Sequence, residues 1–182
     1  MARLPYVDPE TAPEEVRSLL ARLPIKLNVF RMMAHAETSF RPLVQLGTAI
    51  LGFQQLSAKL RELVILRIAE LSAARYEWVQ HVPIAEATGV TRAQRDALER
   101  NDPDNACFDA LDRLVLRFVT EVVLDVRASE ATFAALAAAL SPQEIVELIL
   151  TVGYYMLIAR LLETTAVDLD PPMGTRVVDA IR

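Results

Sequence analysis

Three side chains of this 182-residue chain have the types and spacing to move a proton: Glu62, Glu77 and His81. Glu77 and His81 stand four apart, which on a helix places them on one face within reach of each other. A carboxylate beside an imidazole fixes the ring's tautomer and steadies its protonated form, as a general acid or base requires. Glu77 falls in or near the first turn, where the helix dipole favours a carboxylate. Pro83 cannot donate to the carbonyl of Val79 and is expected to bend the helix just past His81. On the preceding helix, Glu62 falls between Ile65 and Leu66, while Arg67 lies inside the leucine stripe. A buried charge is costly unless paired or hydrogen-bonded. Arg67 therefore reads as one half of a salt bridge between helices or subunits, or as a pocket cation. By spacing alone, Glu-x-x-x-His also describes an ordinary surface pair.

The elements that carry these residues read as helices throughout. Residues 1–12 form an irregular arm, Pro13 opens a short helix through about Arg22, and Pro24 ends that segment. Helices follow over about Asn28–Ala36 and Thr38–Leu51, the latter stopped by Gly52. Ser57 precedes a run to about Ser72, and the next helix starts near Ser72 or Ala74. Thr91-Arg-Ala-Gln94 has capping-box spacing, and Ser141-Pro142-Gln-Glu144 combines an N-cap serine, a first-position proline and a third-position glutamate. Phe108, Leu111, Val115, Phe118 and Val122 recur at helical steps, with Cys107 on the core face of that helix. Ser129 opens a further helix to about Leu140. No period-two alternation persists long enough for a strand. The expectation is a single all-α domain over residues 1–182, a bundle of about eight helices with a C-terminal tail from 166.

Two helices, at 60–71 and 145–162, are apolar nearly all round. Burial against another subunit produces that pattern, as does a helix running through the middle of one bundle; homo-oligomerisation is the expectation carried forward. The formal charge of −5, without a basic run, argues against nucleic acid and anionic membrane surfaces as partners. The single cysteine, Cys107, excludes an intrachain disulfide and suits a reducing compartment. The N-terminus has no signal-peptide core, and the uncharged stretch Leu148–Ala159 is short for a membrane span. A cytoplasmic protein is expected.

Arg61-Glu62-Leu-Val-Ile-Leu-Arg67, followed by Tyr76-Glu77-Trp78-x-x-His81, resembles the core of the carboxymuconolactone decarboxylase and alkylhydroperoxidase D-like family. The Leu27–Phe30 segment and Gly153-Tyr154-Tyr155 also read like family positions, so the likeness spans roughly residues 27–165. The resemblance implies an all-helical fold that assembles as trimers or hexamers, with the site near subunit contacts. The family's peroxidase branch carries two cysteines three apart, with a histidine four after the second and a glutamate twelve before the first. Those positions here hold Ala74, Glu77, His81 and Glu62: the relay residues remain and both thiols are gone. A thiolate is the nucleophile in peroxide reduction, so this chain sides with the decarboxylase branch, which lacks the cysteines.

The leading expectation is a cofactor-free proton-transfer enzyme, a decarboxylase or isomerase acting on a small carboxylated or lactone-like substrate. His81 is the acid/base, Glu77 its orienter and Glu62 a second carboxylate in the pocket, with Arg67, Tyr76 and Trp78 as substrate contacts. No arginine pair clamps a dicarboxylate; Arg61, Arg67, Arg75 and Arg160 are scattered. The alternatives are a peroxidase-type member using partner thiols and a non-catalytic small-molecule-binding oligomer. No metal site is expected from His35 and His81, the two histidines, and no glycine-rich phosphate loop or nucleophile elbow is present.

Overall fold

A computed structural model describes residues 1–180 as ten α-helices, with no strand among the described residues. They are α1 (Glu14–Arg22), α2 (Asn28–Met33), α3 (Glu37–Phe53), α4 (Ala58–Leu71), α5 (Arg75–Ala87), α6 (Arg92–Glu99), α7 (Ala110–Asp125), α8 (Glu130–Ala139), α9 (Pro142–Thr165) and α10 (Gly174–Asp179). The expected segments correspond to α1 through α9, and the helix not expected is α10, in the tail. Gly52 does not stop α3, which runs one residue past it, and the tail folds into α10 instead of remaining irregular.

Local chemistry accounts for most helix starts. Ser57 caps α4 by accepting from the Leu60 amide, and Ser129 does the same for α8 at Thr132. Reciprocal capping boxes open α6 (Thr91 and Gln94), α7 (Asp109 and Asp112) and α9 (Ser141 and Glu144, with Pro142 at the first position). The Asp109–Asp112 pair starts α7 after Cys107 and Phe108, so Cys107 lies in a half-buried turn and not on a helix face.

α4 is the axis of the bundle. Every residue from Leu60 to Ala69 is buried, and α5, α7 and α9 pack around it. Its all-round apolar character is therefore satisfied within one chain, and it gives no argument for a subunit contact. α9 differs. One side, with Leu148, Val152, Tyr155, Ala159 and Leu162, enters the core; Val146, Ile149, Leu150, Gly153 and Leu157 form an exposed stripe on the other. By length and composition α9 could cross a membrane, with a mean hydropathy of 1.8 over its most apolar 18 residues. That is more than its twelve-residue uncharged centre suggests, because the flanking charges are sparse.

The core divides into two apolar clusters. One gathers around α4, α6, α7 and α9. The other joins α1, α2 and the first half of α3 to Tyr76, Ile158 and Leu162. Tyr154 packs against both, and the candidate site lies where they meet.

Asp112 ties three helices with one buried carboxylate. It accepts from Lys59 Nζ at 2.7 Å (α4) and Gln94 Nε2 at 2.8 Å (α6) while closing the cap of α7. Asp112→Ala leaves a buried amide and a half-buried ammonium without their acceptor, and is expected to cost roughly 2–3 kcal/mol. Urea denaturation should show a lower midpoint with an unchanged slope.

Candidate active site

α4 and α5 bring the chemistry together by folding back on each other. The joint is short, and Ala73 takes a left-handed conformation (φ 51°) to make it. Residue 81 on the outgoing helix thereby returns alongside residue 62. Glu62 has no solvent exposure, and both of its oxygens are used: Oε1 accepts from Arg61 Nε at 3.0 Å and Oε2 faces His81 Nδ1 at 2.9 Å. Arg61, itself 4% exposed, supplies the counter-charge without which such a carboxylate could not be buried. A carboxylate accepts only, so His81 Nδ1 carries a hydrogen, and in the neutral ring it is Nε2 that keeps the lone pair. No protein group among the described residues bonds Nε2. The rings of His81 and Tyr155 meet edge to face, centroids 4.9 Å apart at 88°.

Glu77 behaves differently from its expected role. Although one turn from His81, it makes no bond to it; the imidazole has turned to Glu62, the carboxylate whose charge Arg61 balances. The expected orienter and the expected second carboxylate have exchanged places. Glu77 is 2% exposed, and neither of its oxygens has a hydrogen-bond partner. Burial, and then the charge of Glu163, push its carboxyl well above the ordinary glutamate range. Tyr154 beside it is raised to about 12 by the same burial and by Glu77.

His81, Glu77, Tyr76 and Gln80 of α5 line a cavity of about 140 Å³ with residues of α2, α3 and α9. Apart from Thr48 and the hydroxyls of Tyr154 and Tyr155, its wall is otherwise apolar, and no Arg or Lys among the described residues lines it. Gly47 makes room on the α3 side, since a Cβ there would collide with the Tyr154 phenol. The segment after α9 straps the structure from outside. Asp170 accepts from the Tyr76 hydroxyl and from the Asn28 amide (2.7 Å), and Gln80 donates to the carbonyls of Asp170 and Pro171 while accepting from the Met173 amide.

Two expected substrate contacts are corrected. Arg67 points away from the cavity and donates to Thr120, Glu70 and Asn101, a structural knot between α4, α7 and the turn after α6. Its place one helical turn past Leu63 and Val64 turns it toward α7. Trp78 is buried against α4 on the side of α5 opposite the cavity, beside Ala69, Glu70 and Glu99. Tyr76, Glu77, Gln80, His81 and Ile84 share the face of α5 that lines the cavity and Trp78 falls outside it, so only Tyr76, of the three proposed contacts, reaches the cavity. Sequence reasoning missed Gly47, Gln80 and the roles of Tyr154 and Tyr155. Only the two tyrosines carried a signal, as part of a family-like Gly-Tyr-Tyr. Cys107 is not among the lining residues.

Residues 38–115 match the carboxymuconolactone decarboxylase family. No curated protein matches the chain. Among solved structures, a peroxidase-related protein of Ralstonia eutropha JMP134, described as an alkylhydroperoxidase AhpD core, superposes with a TM-score of 0.78 at 19% identity, covering 93% of this chain and 92% of that one. A peroxidase-related protein of Silicibacter sp. TM1040 gives 0.76 at 18% identity, with the same coverage. The debrominase Bmp8, in complex with 2,3,4-tribromopyrrole, gives 0.75 at 16% identity over the full length of both chains. At these identities the likeness establishes the fold.

The unpartnered Glu77 has a consequence for stability. Folded Glu77 keeps its proton at pH values where the unfolded chain has lost it, so stability falls as pH rises above about 4.5 toward the folded value. The charged and titratable groups around it are His81 on α5, Glu62 and Arg61 on α4, and Tyr154, Tyr155 and Glu163 on α9. Glu77→Gln keeps all of them, so the difference between the two proteins isolates Glu77. The variant should be more stable than wild type at neutral pH, by an amount that grows with pH by at most about 1.4 kcal/mol per unit. Urea midpoints between about pH 5 and pH 7.5 check this; a constant difference contradicts it.

Proposed function

We propose, for a chain whose residues 38–115 match the carboxymuconolactone decarboxylase family and whose fold is AhpD-like, that it is a cofactor-free proton-transfer enzyme for a small, largely apolar molecule. The observation that carries this reading is the buried Arg61–Glu62–His81 chain, whose imidazole faces an apolar cavity with one nitrogen free. Glu62 orients His81 and steadies the imidazolium; His81 Nε2 takes a proton from substrate carbon and returns it. A carbanion formed by proton loss is reprotonated by the same group; one formed by loss of carbon dioxide takes its proton from the imidazolium form of His81, which water then reprotonates. The absence of a lining cation favours lactone-like over carboxylated substrates. A cavity of this size matches those that hold a benzene-sized ring, and the bound tribromopyrrole of the debrominase is also one small ring. A thiol-peroxidase reading has less support, since Ala74 and Glu77 stand where the peroxidase branch has its cysteines.

Carbon-bound hydrogen exchange in deuterated buffer, followed by NMR over a panel of small cyclic ketones, lactones and unsaturated acids, tests the reading. His81→Ala should slow exchange of a responding compound by about 10²–10⁴-fold. Glu62→Gln should slow it as well, while circular dichroism and the melting profile remain those of a folded protein. Exchange at the wild-type rate in folded His81→Ala would leave only a binding role for the cavity.

We also propose that α9 joins copies of the chain into a homo-oligomer, a trimer or hexamer. The support is its stripe of Val146, Ile149, Leu150 and Leu157, each at least 42% exposed and contiguous along one helix side. Apolar patches of this kind mark contacts between proteins. Light scattering should give a multiple of the 20.2 kDa chain mass, and Leu150→Glu should lower it toward a single chain. A wild-type mass of one chain at micromolar concentration ends this proposal.

A further inference from the structure

The cavity's second polar group is unused by the mechanism above. Glu77 is part of the wall of an apolar chamber; both of its carboxyl oxygens are buried without a hydrogen-bond partner, and no cation is among the lining residues. An unpaired carboxylate in such surroundings is far more costly than a neutral carboxyl, so the group is held as an acid with a hydrogen to donate. It stands one helical turn from His81, whose Cβ lies roughly 5–6 Å away on the same face. A base and a neutral hydrogen-bond donor thus converge on one small apolar space. The rings of Tyr154 and Tyr155 line the same space, Tyr155 in contact with the imidazole itself.

We infer that Glu77 is a catalytic hydrogen-bond donor to a substrate carbonyl oxygen, so that the substrate class is a small, uncharged cyclic carbonyl compound, a ketone or lactone. The inference rests on the proton-transfer reading of His81 and adds the partner that such chemistry needs. His81 Nε2 removes a proton from a carbon conjugated to the carbonyl. The C–H electron pair moves into the carbonyl to give an enolate, and the Glu77 O–H strengthens its hydrogen bond as charge collects on that oxygen. The imidazolium returns the proton to the same carbon or to the far end of the conjugated system. Nothing is oxidised or reduced, and the net change is exchange or isomerisation. A donor placed where charge develops, in apolar surroundings, stabilises the enolate more than the neutral ketone. A carboxylate ligand meets the reverse situation: it finds no counter-charge, and its like charge opposes any ionisation of Glu77.

2-Cyclohexenone and benzoate, one neutral and one anionic ring of similar size, are the probes. Infrared difference spectra should show the ketone's carbonyl stretch lowered on binding to the wild-type protein. Benzoate should bind at least about tenfold more weakly. Glu77→Leu, which keeps the volume and removes the donor, should abolish the carbonyl shift and slow hydrogen exchange by about 10²–10³-fold, in line with loss of one oxyanion donor. Glu77→Gln keeps a neutral donor and should retain part of both; it also serves if the leucine variant does not fold. His81→Ala should lose exchange yet keep the carbonyl shift, which separates the two assignments. Loss of the shift in His81→Ala, its persistence in both Glu77 variants, its absence at millimolar ketone, or tighter binding of benzoate each overturns the role of Glu77. If the shift is present and depends on Glu77 but His81→Ala exchanges at the wild-type rate, the donor stands and the base is wrong.

Discussion

Glu62 holds a negative charge at zero exposure in the middle of the most deeply buried helix of the bundle, and the site is arranged around the need to satisfy that charge. Arg61 next to it meets one oxygen, His81 meets the other, and the helix hairpin of α4 and α5 is the element that makes the second contact geometrically available. Removing any member leaves the remaining charge or dipole in an apolar core. A buried polar chain of this kind is costly when half satisfied. The same demand orients the imidazole: with Nδ1 committed to Glu62, the other nitrogen is free for chemistry.

The two glutamates show how environment divides one residue type into two roles. Glu62 has a guanidinium at 3.0 Å and Glu77 has none. The first can remain an anion and orient a base; the second is driven by burial toward its neutral form. Both sit within one turn or one helix contact of His81. Spacing along the chain favoured Glu77 as its partner, but the electrostatics of the core favoured Glu62. A neutral acid and an anion-supported base in one apolar chamber form the kind of split from which acid–base pairs are built.

The cavity exists because two apolar clusters meet without filling the space between them. Gly47 admits the Tyr154 phenol, Tyr155 edges against His81, and the strap through Asp170 fixes Tyr76 and Gln80 from outside. Each device joins two parts of the chain separated by scores of residues. α9 contributes to two surfaces at once, the inner wall through Tyr154 and Tyr155 and the exposed stripe through Val146 to Leu157.

What the sequence determined by itself was the set of local facts. Serine, threonine and proline at fixed offsets located the starts of α4, α6, α8 and α9, because a cap is satisfied within four residues of chain. The all-helical class followed from the same periodicity, and the motif around Glu62, Glu77 and His81 identified the neighbourhood of the site. Tertiary structure alone decided which carboxylate holds the histidine. It also turned Arg67 and Trp78 away from the cavity, satisfied α4 within one chain, and brought Gly47, Gln80 and Tyr154 to the chamber wall. Those outcomes depend on which side of each helix meets a neighbour and on whether a counter-charge lies within bonding distance. A hydrogen bond between residues 62 and 81 is set by the packing of two helices, and no spacing rule along one of them contains it.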